Sequence, residues 1–352
     1  MFRNLYVSGL ILGVGMLLAL PASADTLSDT MDQGYAALTQ GDYPGANTFF
    51  GQAQMLNANA PEPLVGEAYV LMKQGEYDKA QIVFEQALKA KPDMVEAHVG
   101  LGYVAMDRGQ YETARTQFEA AQTLSPEMTK PLIGLGYVYL KQSALNTANL
   151  DKALSYFGQA LSLKPDSAEA YVGELYVYMK RADWDKAQEV GQKALAIDPN
   201  MQDVSLGLGH IALKQKHYED AKNNFEKVLT RNANSQEALV GLGYVALKQN
   251  NLDEAMTEFQ KALALNPHLS KAHMGLSQVY DKQGNPEAAV QELQAAAATN
   301  PSPEWWTDMV STSCHGGYYS EDLQSQFQQA VQTGSLEAPK LLNAIEKYCP
   351  AQ

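Results

Sequence analysis

The sequence predicts an all-helical solenoid in which eight helix–turn–helix units stack side by side. Three observations predict it. Alanine recurs at Ala46, Ala80, Ala114, Ala153, Ala187, Ala221, Ala255 and Ala289, with successive gaps of 34, 34, 39, 34, 34, 34 and 34 residues. Each period holds two stretches with apolar residues at helical spacing, for example Glu237–Gln249 and Leu252–Leu265. Proline follows twelve residues after the anchor alanine at Pro92, Pro126, Pro165, Pro199, Pro267 and Pro301. Proline cannot continue a helix and pushes the residue before it out of helical geometry. One helix pair cannot bury its apolar face alone, so a fixed period of this length specifies a stacked array.

Residues 1–24 read as an export signal. Arg3 gives a positive start, Leu10 to Leu20 is an uncharged apolar run, and Ala22-Ser23-Ala24 offers small residues for cleavage. The run is short for a bilayer span. The mature chain is expected to begin at Asp25, in the periplasm if the source is bacterial. The alternative is an uncleaved anchor. No later stretch has the length and apolarity of a membrane helix.

Residues 27–303 carry the eight periods. Four after the anchor stands Phe50, Phe84, Phe118, Phe157, Phe225 or Phe259, with Gly191 and Leu293 as exceptions. Seven after it stands alanine in every period but the sixth, which has Val228. Twelve before it stands Gly34, Gly102, Gly136, Gly209 or Gly243, counting five further back in the longer fourth period. The period and its Leu-Gly, Ala, Phe and Pro positions resemble the tetratricopeptide repeat (TPR). That resemblance implies a right-handed superhelical solenoid, and a concave groove lined by the first helix of each pair. The tryptophan that opens many repeats of the family is absent, and Leu64, His98, Leu132, Tyr171 or Leu239 takes its place.

The long gap comes from residues 143–147, inserted between the two helices of the fourth period. A tolerated loop and a lip that touches a partner both fit. Seven further glycines, Gly66, Gly100, Gly134, Gly173, Gly207, Gly241 and Gly275, fall fourteen before the anchor and inside first helices. Each costs about 1 kcal/mol relative to alanine, so a compensating contact is expected. On the same helical face lie Tyr69, Tyr103, Tyr137, Tyr176 and Tyr244, with His210 at the equivalent position, and Lys73, Lys141, Lys180, Lys214 and Lys248. The expectation is a tyrosine ladder on a glycine floor with a lysine at each step, lining the partner-binding groove. Packing between neighbouring helices is the other reading of the same tyrosines. Family members that clamp a terminal carboxylate place asparagine where glycine stands here, so that clamp is not carried over.

Composition narrows the function. The chain has 26 basic and 40 acidic residues, for a net charge of −14. This speaks against nucleic acid, whose phosphates need a basic surface. Gly100-Leu-Gly-Tyr-Val-Ala105 mimics a dinucleotide fingerprint, but it lies within a repeat helix rather than between a strand and a helix. The six histidines, His98, His210, His217, His268, His273 and His315, show no ligand spacing. No cofactor, metal site or catalytic constellation is expected.

Residues 304–352 leave the period and are expected to form a helical cap over the last apolar surface. Cys314 and Cys349, the only cysteines, both lie there and are expected to form one disulfide in an oxidising compartment. The expected function is a non-catalytic periplasmic scaffold that binds an envelope protein or extended peptide. The alternative is a carbohydrate-binding solenoid involved in polysaccharide export.

Overall fold

The computed structural model describes residues 26–143 and 148–299. The export signal, residues 144–147 of the insertion, the expected cap and both cysteines lie outside the described residues. The chain divides into two compact units, at Asn200 and Met201. Each is a stack of antiparallel helix pairs, and no strand occurs among the described residues.

The first unit holds five pairs. They are α1 (Leu27–Gln40) with α2 (Tyr43–Leu56), α3 (Glu62–Lys73) with α4 (Tyr77–Ala90), and α5 (Val95–Asp107) with α6 (Tyr111–Leu124). They continue with α7 (Thr129–Gln142) and α8 (Ala148–Leu163), then α9 (Ala168–Lys180) and α10 (Trp184–Ile197). The second unit holds three pairs: α11 (Gln202–Lys214) with α12 (Tyr218–Arg231), α13 (Gln236–Lys248) with α14 (Leu252–Leu265), and α15 (Ser270–Lys282) with α16 (Pro286–Thr299). Within each unit a helix packs on its chain neighbours, and each first helix also touches the next first helix.

Local sequence sets the helix ends. Thr26 and Asp29 form a reciprocal cap on α1, and the Asp42 side chain accepts from the Gly45 amide at 2.9 Å to cap α2. The turn inside each pair needs one left-handed residue five before the anchor. Gly41, Gly75, Gly109 and Gly284 supply it at φ of 72–80°. Ala182, Lys216 and Asn250 adopt it at φ of 54–64°, against the preference of side-chain-bearing residues. The fourth period carries its insertion at this turn. Second helices end where the residue before proline turns extended, as at Lys91 and Asn266.

The core explains the glycines. The anchor alanine and the residue seven after it are essentially inaccessible throughout both units. The phenylalanine ring then enters between two first helices, because at five of the six repeat phenylalanines neither helix has a Cβ where the ring sits, and at Phe84 only Ala68 does. A Cβ on Gly102 would stand 2.5 Å from Phe118 Cε1, and one on Gly134 would stand equally close on the other side. Phe50 lies between Gly34 and Gly66, Phe157 between Gly136 and Gly173, and Phe259 between Gly243 and Gly275 in the same way. A fully buried ring contributes about 1.5–3 kcal/mol, which offsets about 1 kcal/mol for each glycine beside it. The expected compensating contact is therefore this ring, and the glycines do not form an open floor.

The fifth period inverts the arrangement. Gly191 occupies the phenylalanine position, and fully buried Leu175 occupies the glycine position twelve before the anchor. Volume removed from the second helix is returned from the first, as close packing requires.

Candidate functional site

The tyrosines of the first helices are structural anchors before they are anything else. Tyr69, Tyr103, Tyr137 and Tyr176 are only 6%, 2%, 0% and 9% exposed, and Tyr244 is partly buried. Tyr69, Tyr103, Tyr137 and Tyr244 each meet the phenylalanine of their own pair edge to face, with ring centroids 5.1–5.2 Å apart. His210 meets Phe225 in the same geometry. Such contacts add about 0.5–1.5 kcal/mol each to burial. These contacts are the helix-to-helix packing that the sequence equally allowed for these tyrosines. With glycine on both sides of Phe118, Phe157 and Phe259, and on one side of Phe84 where Ala68 stands opposite, the ring is drawn inward and the tyrosine closes over it.

The hydroxyls reach the next helix pair. Tyr69 donates to the Glu96 carbonyl at 3.0 Å, Tyr137 to that of Glu169 at 3.5 Å and Tyr244 to that of Lys271 at 3.1 Å. Each therefore registers the first turn of the following first helix, eighteen before its anchor. What that position presents beside the tyrosines is charge: Glu62, Glu96, Lys130 and Glu169 in the first unit, and Asp203, Glu237 and Lys271 in the second. Sequence reasoning passed over this row, although its recurrence at one repeat position was a usable signal. It also passed over half-exposed aliphatics ten after the anchor, Leu56, Leu124, Leu163, Ile197 and Leu265, which are 41–53% exposed.

The lysines divide by burial. Lys180, Lys214 and Lys248 are exposed, while Lys73 and Lys141 are half-buried. Burial lowers the Lys73 ammonium below its ordinary range, and burial followed by repulsion from Lys180 lowers Lys141. Lys180 Nζ also donates to Ser143 Oγ at 3.0 Å. Two cations this close on α7 and α9 attract an anion more strongly than either alone.

Two clefts open along the charged row, one in each unit. The first, about 420 Å³, is lined by side chains of α3, α5 and α7 and the end of α8, among them Tyr69, Glu96, Val99, Lys130 and Lys164. The second, about 330 Å³, is lined by His210, Glu237, Val240, Leu269 and Lys271 among others. Near the first, burial pushes the Glu169 carboxyl up to about 7 against the pull of Lys130 and Lys164. Its Oε1 is buried without a hydrogen bond among the described residues. In the second, burial and then Lys271 and Lys214 bring His210 down to about 4, leaving its ring neutral near pH 7. Among the described residues no cluster of His, Cys, Asp and Glu has the makings of a metal site, and no helix is long and apolar enough to cross a membrane.

Comparison with known families decides the class. One tetratricopeptide repeat family model matches residues 65–129 and 206–270, and a second matches 178–223 and 246–307. The chain belongs to the tetratricopeptide repeat family. Proteins built from these repeats are generally non-catalytic scaffolds for other proteins. No curated protein matches the sequence. Among solved structures, the APC/C hetero-tetramer Cut9-Hcn1 matches with a TM-score of 0.62 at 17% identity, over 77% of this chain and 53% of that one. This chain thus spans about half the length of that match. A tetratricopeptide repeat protein from Parabacteroides merdae matches with a TM-score of 0.50 at 18% identity, over 72% of this chain and 98% of that one. Pseudomonas aeruginosa pilF matches at 0.53 and 16%, over 61% and 96%. At these identities the likeness is one of fold.

Proposed function

We propose that the protein is a non-catalytic scaffold of the cell envelope that holds an extended peptide along the first turns of its first helices. The observation that carries this reading is the first cleft. It runs past three successive first helices and mixes apolar walls with charged side chains, which suits a chain rather than a compact metabolite. The bound segment would lie over Tyr69 and Val99, with Glu96 and Lys130 at its sides and the Lys141–Lys180 pair further along α7 and α9.

Peptide and oligosaccharide libraries titrated against the full chain test the reading. Saturable binding of extended peptides is expected. Lys141→Glu with Lys180→Glu should weaken acidic peptides about three- to tenfold more than Lys141→Gln with Lys180→Gln, which removes the same half-buried ammonium and Ser143 contact without adding negative charge. Binding of oligosaccharides alone would overturn the peptide reading in favour of polysaccharide.

The envelope location is proposed from residues 1–24 and from the two cysteines. Intact mass of the exported protein should begin at Asp25, and peptide mapping without reductant should recover Cys314 linked to Cys349. A product that retains Met1, or two unlinked thiols, would refute the corresponding part.

A further inference from the structure

The two clefts sit at equivalent repeat positions, and we infer that they are one site used twice, each taking an extended peptide segment with a basic and an acidic side chain two or three residues apart. This rests on the peptide-scaffold reading and adds the ligand's chemistry to it.

The row eighteen before the anchor is acidic at Glu62, Glu96, Glu169, Asp203 and Glu237. Acids are favoured there, because the first turn of a helix carries partial positive charge. Lys130 and Lys271 stand against that local preference. In both cases the preceding repeat keeps its acid, which gives the pairs Glu96–Lys130 and Glu237–Lys271. Each pair borders one of the two clefts. Burial lowers the Lys130 ammonium, and the Glu169 and then the Glu96 carboxylate act against that, so the first pair lies within electrostatic reach and Lys130 also faces Glu169.

The rest of each cleft repeats as well. The floor is Tyr69 with Val99 in the first and His210 with Val240 in the second, and the apolar residue two before each lysine is Met128 or Leu269. Neighbouring first helices lie roughly 10 Å apart, and an extended chain advances about 3.3 Å per residue. Side chains two or three residues apart on a bound segment therefore span the distance from acid to lysine, given the reach of both long side chains. Backbone and small side chains between them would rest on the apolar floor. The neutral His210 ring keeps the second floor uncharged near pH 7. Glu127 and Lys164 add charges to the first cleft, whereas Asn232, Asn234 and Gln236 give the second amides. Binding at the first should accordingly fall faster with salt.

The test is calorimetric titration of the full chain with three short alanine-based peptides, carrying Lys-Ala-Glu, Lys-Ala-Lys or Glu-Ala-Glu. Two Lys-Ala-Glu peptides are expected to bind each chain. Lys130→Glu should weaken one of them about tenfold and Lys271→Glu the other, since a like charge then faces the peptide's acid. Each variant should gain affinity for Lys-Ala-Lys at the altered site. Both substitutions put an acid where the helix terminus favours one, but Lys130→Glu also removes the cation facing Glu169, so Lys130→Gln and the melting curve of each variant separate lost binding from lost folding. Equal binding of all three peptides, or a stoichiometry and preference untouched by either variant, would overturn this inference and leave the peptide scaffold standing. Failure of every peptide, these and the wider library, would overturn both.

Discussion

Combining Gly102→Leu with Phe118→Gly in one chain is expected to cost clearly less stability than the two single changes cost when summed. Phe118 is fully buried, and deleting such a ring costs about 3–5 kcal/mol through lost transfer energy and the cavity left behind. Adding a side chain at Gly102 drives it into the same ring, because a Cβ there already falls 2.5 Å from Phe118 Cε1. Gly134 blocks retreat on the far side with an equally close approach. Overpacking of this kind costs about 1–3 kcal/mol or more. The double variant puts the leucine into the space the ring vacates, as Leu175 and Gly191 do in the fifth period. A coupling of about 2–3 kcal/mol in favour of the pair is expected, within the range for residues in contact. Urea denaturation followed by helical circular dichroism of the four chains measures it. Losses that simply add would show that the fifth period is no exchange of volume.

Acidification is expected to strengthen the first unit locally and weaken the second. Burial raises the folded Glu169 carboxyl from 4.5 to about 7, opposed by Lys130 and Lys164. Between those values the folded state holds a proton that the unfolded state has released, so stability from this group is present below pH 4.5 and lost as pH rises to 7. His210 has the opposite sign. Its folded value is lowered from 6.5 to about 4, so the unfolded state takes up the proton first and stability falls as pH drops through that window. Each shift corresponds to about 1–3 kcal/mol, taking 1.36 kcal/mol per unit and allowing for water at the cleft edges. Glu169→Gln should therefore gain stability over the wild type at pH 8 and match it at pH 4.5. His210→Phe should match the wild type at pH 8 and exceed it at pH 4.5. Urea midpoints of the three chains at both values test this. A wild-type pH dependence retained in Glu169→Gln would remove the carboxyl from the account.

Most of the fold was legible in the sequence because its causes are local or periodic. The anchor alanines mark where two helices touch, and only a small side chain fits there wherever it recurs. Pro92 and Pro267 end second helices by their own ring geometry, and Gly41 or Gly75 turns the chain by its lack of a Cβ. None of these depends on a distant residue. The role of the mid-helix glycines was legible only as a cost. Gly66 is sixteen residues from Phe50 along the chain, and only stacking brings the ring against it. The same contact decided the tyrosines. Periodicity places Tyr103 and Tyr137 on one helical face, but whether that face looks at solvent or at a neighbouring ring depends on how deeply Phe118 and Phe157 sink between glycines. Lys130 and Glu96 show the limit most plainly: each is an ordinary charged residue at a helix start, separated by one full repeat. Chain sequence alone determined the stacked helix pairs and the charge at each step, while tertiary packing decided that the tyrosines are held inside and that opposite charges line one cleft, because both outcomes depend on residues distant in the chain that only stacking brings together.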